Sequence, residues 1–166
     1  MVLSLVGQMS YFDNAVKSGN YSKGPSFTDV SKCFWELKGK RYGVVGLGNI
    51  GGKVANIAKA FGMDVVYYST SGNPHSDEFQ AVSLEELMST CDVISVHCPL
   101  NERTNNLITY DKLALMKKTA YIINLGRGGI INEADLVQAL NDGLMAGAGV
   151  DVFSKEPLPL DSPYFK

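Results

Sequence analysis

The chain has 166 residues, of which 45% are apolar and 19% charged, and a net charge of −2. That length suits one domain with a core of its own, and a balanced charge without a basic run excludes an electrostatic binder of nucleic acid or anionic membrane. No apolar stretch reaches the length of a membrane span.

The opening MVLSLVGQMSYFDNAV has neither a basic leader nor a small-residue cleavage site, so it is not read as a signal peptide. Its apolar residues Val2, Leu3, Leu5, Val6, Met9, Phe12 and Val16 form a roughly helical stripe over 1–17. A stretch rich in Gly, Ser and Pro runs from Ser18 to Ser31. From residue 40 the pattern changes. RYGVVG (41–46) reads as a buried strand, IGGKVANIAKAFG (50–62) as a helix and DVVYYS (64–69) as a second strand. SLEELMST (83–90) is a short helix and DVISVH (92–97) a third strand. A helix over 109–118, a strand over 120–125, a helix over 132–143 capped by Asn132 and a strand over 145–153 complete the pattern.

Strands apolar on both faces and separated by helices imply a parallel sheet covered on both sides, joined by right-handed crossovers. The expected fold class is therefore α/β, a Rossmann-type doubly wound parallel sheet with an added N-terminal helical arm. The expected division is an arm over 1–38 and a dinucleotide-binding domain over 39–166. Both ends read as cuts, so a further domain is expected outside the chain. Cys33, Cys91 and Cys98 are odd in number and lack CxxC spacing. They point to reduced thiols in a cytoplasmic protein and to no metal site.

GVVGLGNIGGKVA sets Gly46, Gly48 and Gly51 as G-x-G-x-x-G between the first strand and its helix. Gly46 suits the tight turn, Gly48 the close approach of a pyrophosphate, and Gly51 the packing of helix on strand. The phosphates would meet free N–H groups of residues such as Asn49 and Ile50 at the positive end of the helix. The same fingerprint wants an acidic residue at the end of the second strand, and Ser69 stands there. Asp64 is at the wrong end, about 16 Å away at 3.3 Å per residue. No Arg follows in STSGNPHSDE, so Ser69, Thr70 and Ser71 leave NAD and NADP both open.

INLGRGGIINEADLVQAL places Arg127 in a glycine-rich turn between strand and helix. A guanidinium there presents a planar fork for a carboxylate or phosphate. On the residues alone it can equally be a turn cation paired with Glu133.

With GLGNIG, HCPLNERTNNLI, INLGRGGIINEADLVQAL and AGAGVDVFSKEPLP in order, the sequence resembles the D-isomer-specific 2-hydroxyacid dehydrogenases, closest to glycerate dehydrogenase/hydroxypyruvate reductase-like members. The resemblance covers nearly the whole chain and implies the nucleotide-binding domain of a two-domain protein, with the substrate domain absent from this chain. Arg127 then resembles the arginine that grips the substrate carboxylate and carbonyl. Glu156 resembles the glutamate that pairs with the catalytic histidine. Asp151 would hold the nicotinamide carboxamide, and Leu125 and Gly126 would line that end. Thr104 would reach the pyrophosphate, Pro99 would line the adenosine side, and Cys98 reads as a buried or cofactor-lining thiol.

In that family the proton-donating histidine lies in a PH pair beyond the glutamate. His97 instead resembles a cofactor-side position, and His75 sits in a polar loop, so neither matches. The implied activity is hydride transfer between NAD, with NADP left open, and a small D-2-hydroxy or 2-oxo acid such as glycerate, hydroxypyruvate or glyoxylate. The arm implies a homodimer. The competing reading is a non-catalytic NAD(H)-sensing module of the co-repressor kind, built on the same fold.

Overall fold

The computed structural model describes residues 1–73 and 76–165, so His75 lies outside the described residues. The chain forms two compact units, Met1–Glu36 and Leu37–Lys166.

In the first unit the expected single stripe over 1–17 is two helices, α1 (Val2–Val6) and α2 (Met9–Lys17). They are parted by Gly7 and by Gln8, whose φ of 53° is left-handed. A non-glycine residue there cannot continue a right-handed helix, so the stripe breaks. A single turn, α3 (Asn20–Lys23), lies in the stretch expected to be loop. The Tyr11 hydroxyl donates to Asp29 Oδ2 at 2.9 Å, which ties α2 to the segment after α3.

The second unit is a six-stranded sheet in which every neighbouring pair is parallel. Its strands are β1 (Arg41–Val45), β2 (Asp64–Tyr68), β3 (Gln80–Ala81), β4 (Val93–Val96), β5 (Tyr121–Asn124) and β6 (Gly147–Val150), in spatial order β3-β2-β1-β4-β5-β6. The helices are α4 (Asn49–Ala60), α5 (Leu84–Thr90), α6 (Tyr110–Leu113) and α7 (Glu133–Asn141). The chain winds outward from β1 to β3, then returns to β4 and winds the other way. With one hand of crossover, that reversal sends α4 to one face and α5–α7 to the other.

The packing agrees. A Cβ on Gly43 would lie 2.8 Å from the Leu87 side chain, so α5 occupies the place of a side chain on that face. A Cβ on Gly51 would lie 3.1 Å from Val44 Cγ1, on the opposite face. The main core joins Val45, Ile94, Val96 and Ile122 of the sheet to Leu87 of α5 and Leu136 of α7. All six are fully buried. Each side chain removed from water contributes roughly 1.5–3 kcal/mol, which outweighs any local propensity.

Three elements differ from expectation. The two-residue strand β3 at the sheet edge is too short to carry a periodic signal. Strand β6 stops at Val150 because its ladder partner β5 ends at Asn124. Helix α6 covers only the start of 109–118. After it the chain turns to bury Met116 and to bring Lys117 Nζ within 2.9 Å of Asp92 Oδ1.

Candidate functional site

Since all strands run the same way, their C-terminal ends share one edge. There, between β2 and β4 on either side of β1, lies a cleft of ≈ 630 Å³. It sits at the point where the winding reverses, the place where open α/β sheets hold ligands. Gly46 and Gly48 form its floor, Ser69–Ser71 line one side, and His97–Pro99 with Asn101–Arg103 line the other.

The three glycines of the motif have three different environments. Gly46 has a φ of 93°, and a Cβ there would meet the Cys98 backbone nitrogen at 2.9 Å. Gly51 packs so closely that a Cβ would lie 2.1 Å from the Gly46 carbonyl oxygen. Gly48 is extended, and a Cβ there would meet nothing within 4 Å. The outer two make the turn; the middle one leaves open space.

That space is bordered by the first turn of α4. Helices α5 and α7 cap themselves: Ser83 Oγ accepts from Glu86 N at 3.1 Å, and Asn132 Oδ1 from Asp135 N at 3.1 Å. Helix α4 has Gly48 at its cap and no side-chain bond. Its first N–H groups, Asn49 and Ile50 among them, are thus left for an anion, at the positive end of the helix dipole. Open room at Gly48 together with uncapped amides fits a dinucleotide pyrophosphate.

Ser69 follows β2 where the fingerprint wants a carboxylate. It is nearly buried, its hydroxyl donating to the Asn73 carbonyl at 2.9 Å and lying 3.1 Å from Ser71 Oγ. On the other side, His97 Nε2 lies 2.9 Å from Ser95 Oγ, and burial holds its imidazole below the ordinary range. It is a neutral wall residue at pH 7. Burial pushes the Cys98 thiol up to about 11, so it is no nucleophile. Pro99 lines the cleft, but Thr104 does not. Thr104 is 1% exposed; its hydroxyl donates to the Pro99 carbonyl at 2.6 Å and accepts from Asn101 N at 2.8 Å. Instead of reaching a pyrophosphate it braces the 99–104 turn. That turn is neither helical nor capping a helix, and it presents Asn101, Glu102 and Arg103 to the cleft. These three were not singled out from the sequence, although they stand in the NERT of a quoted motif.

The loops after β5 and β6 make a second cluster on the same edge. Asn124 ends β5 and clamps the turn, its Nδ2 donating to the Arg127 carbonyl at 2.9 Å and its Oδ1 accepting from Gly126 N at 3.1 Å. Gly126 abuts the β4 side, since a Cβ there would lie 3.3 Å from the Cys98 carbonyl oxygen. Leu125 is exposed beside it. The Arg127 guanidinium is exposed, its Nη1 donating to the Gly126 carbonyl at 2.8 Å. Glu133, the carboxylate that would neutralise it in a bland turn, accepts from Ser154 N at 2.6 Å instead. Among the described residues no carboxylate forms an ion pair with Arg127.

Asp151 follows β6, its amide donating to the Asn124 carbonyl at 3.2 Å, with its carboxylate exposed. Glu156 Oε1 accepts from Phe153 N at 3.0 Å, and the Phe153 ring packs edge-on against Tyr164 at 5.7 Å. The Arg127 and Glu156 loops therefore share one backbone contact zone, through Gly128 and Phe153.

Comparison with known proteins matches this geometry. The family model for the D-isomer specific 2-hydroxyacid dehydrogenase NAD binding domain matches residues 1–166. A hydroxypyruvate reductase from Blautia hydrogenotrophica is 38% identical over 170 residues, 98% of this chain and 51% of the relative. The crystal structure of D-lactate dehydrogenase from Aquifex aeolicus, complexed with NAD and lactic acid, superposes with a TM-score of 0.83 at 35% identity. The match covers 93% of this chain and 46% of that one. An acyclic imino acid reductase (Bsp5) in complex with NADPH and D-Arg gives a TM-score of 0.88 at 31% identity, over 99% and 51% of the two chains. The chain thus spans about half the length of the relatives it matches. On its sequence, its sheet and its glycine turn, it belongs to the NAD-binding domain family of the D-isomer specific 2-hydroxyacid dehydrogenases.

Proposed function

We propose that the chain is the cofactor half of an oxidoreductase that moves a hydride between a nicotinamide dinucleotide and a small D-2-hydroxy or 2-oxo acid of the glycerate, hydroxypyruvate or glyoxylate kind. The single observation that carries this is Arg127, whose backbone carbonyl is held by Asn124 on the same sheet edge as the glycine turn and whose guanidinium has no carboxylate partner among the described residues. A 2-oxo acid offers it a carboxylate and a carbonyl, which suit a planar fork of donors.

Bound nicotinamide supplies or accepts the hydride. The remaining tasks fall to side chains. Gly46, Gly48 and Gly51 shape the turn, and the amides of Asn49 and Ile50 face the pyrophosphate. Ser69, Cys98 and Pro99 border the adenosine side. Leu125, Gly126 and Asp151 border the nicotinamide, Asp151 holding its carboxamide. Arg127 orients the acid, and Glu156 pairs with a histidine supplied from outside these residues. A carboxylate beside that imidazole raises its pKa and keeps a proton ready for the new alkoxide.

The arm over 1–38 is read as the segment through which two copies pair. Exposed Leu3, Met9 and Val16 on its helices, with Phe27 and Phe34 after them, support that reading. Three free cysteines support a reducing, cytoplasmic setting. No helix among the described residues is long and apolar enough to cross a membrane.

The test is an assay of the full-length protein with hydroxypyruvate and reduced dinucleotide. Turnover that falls about 100-fold or more in Arg127→Met, with dinucleotide affinity retained, is the expected result. Tight dinucleotide binding without turnover on any small 2-oxo acid would refute the enzyme reading.

A further inference from the structure

The cleft lacks a carboxylate at the end of β2 and carries, on the other side of β1, a guanidinium with no carboxylate partner among the described residues. From this juxtaposition we infer that Arg103 takes the 2′-phosphate of the cofactor, so that the chain binds NADPH in preference to NADH. The inference rests on the dinucleotide reading of the cleft and deepens it.

A carboxylate after β2 does two things in this fold. It accepts hydrogen bonds from the ribose hydroxyls, and it repels a 2′-phosphate. Here neither effect operates. Ser69 has committed its hydroxyl to Asn73 and Ser71. Asp64, the acid of that strand, stands at its opposite end, 3.4 Å from Arg41 Nε. What borders the cleft on this side is Ser69, Thr70 and Ser71, none of which carries a negative charge to oppose an anion.

On the β4 side the 99–104 turn is stiff. Thr104 ties it to Pro99 and Asn101, and Asn101 Oδ1 accepts from the amides of Arg103 at 2.9 Å and Thr104 at 3.2 Å. The backbone that carries Arg103 is therefore tied by these bonds, and Arg103 lines the cleft. Among the described residues its guanidinium has no carboxylate partner. A planar fork meeting a phosphate dianion makes paired, charge-assisted bonds. Glu102, next to it, is the opposing charge. Its repulsion acts through water at an exposed site and is screened, whereas the guanidinium bonds are made at contact.

The test is calorimetric titration of the protein with NADPH and with NADH at one fixed ionic strength, in wild type, Arg103→Gln and Glu102→Gln. The expected result is NADPH binding about tenfold or more tighter than NADH, a preference lost in Arg103→Gln while NADH affinity stays within about twofold. Glu102→Gln should keep or widen the preference. The inference is overturned if wild type binds NADH as well as or better than NADPH, or if Arg103→Gln weakens both cofactors alike. It is equally overturned if Glu102→Gln selectively loses NADH, which would give the ribose hydroxyls to Glu102. Failure to bind either dinucleotide would instead sink the underlying reading of the cleft.

Discussion

Gly128 and Phe153 touch backbone to backbone: a Cβ on Gly128 would lie 2.0 Å from the Phe153 carbonyl carbon and 2.2 Å from its oxygen. Gly128 follows Arg127, and the Phe153 amide donates to Glu156. The contact sets the spacing of the two loops that carry Arg127 and Glu156. Gly128→Ala must push backbone against backbone, an overpacking that costs about 1–3 kcal/mol. Calorimetry should show Tm lower by about 5 °C, and an unchanged Tm would show that the loops do not meet this way.

Asp92 offers a test by pH. Burial raises its carboxyl pKa, but the Lys117 ammonium at 2.9 Å and the Arg41 amide at 2.8 Å outweigh burial and hold it below the ordinary value. A carboxyl with a folded pKa below its unfolded value of about 3.9 stabilises the fold above that pH. The contribution is lost as pH falls through the folded value. Asp92→Asn should therefore destabilise by about 2 kcal/mol at pH 7 and by progressively less in acid below about pH 4. Urea unfolding at both pH values checks this; a deficit independent of pH would contradict it.

The thiols should differ sharply in reactivity. Cys33 is exposed, while Cys91 and Cys98 are buried and burial pushes each to about 11. Iodoacetamide at pH 8 meets only about one thiolate in a thousand at such a site. Mass spectrometry of the native protein should find Cys33 alkylated and the other two spared. Labelling of Cys98 as fast as Cys33 would mean that the cleft wall is open.

Much of this architecture was legible because it is written in local pattern. Five strands are short apolar runs, and the glycine turn has its residues fixed by local sterics, so order and position alone announced both. The helix cap Asn132 was equally local. What escaped depends on distant parts of the chain. Strand β3 exists only because β2 offers it an edge. Helix α6 stops early because Met116 and Lys117 have partners in the core and on Asp92. The family resemblance sends the Thr104 hydroxyl to a pyrophosphate, and only the fold shows it turned inward onto Pro99. Arg103 was not singled out in sequence; its place in the same cleft as Ser69 follows from β4 lying beside β1, a neighbour relation no local pattern encodes. The competing sensor reading gains nothing from the relatives named above, which carry enzyme names.

The most direct test uses the unequal glycines. Gly48 is extended and open, so Gly48→Val should fold normally and fill only the space left for the pyrophosphate. Gly51→Ala, set 2.1 Å from the Gly46 carbonyl, should instead lower Tm, as Gly128→Ala does. Fluorescence titration of Gly48→Val with reduced dinucleotide should show wild-type Tm and affinity down about 100-fold or more. A valine at that position that left affinity unchanged would contradict the cleft as the cofactor's seat.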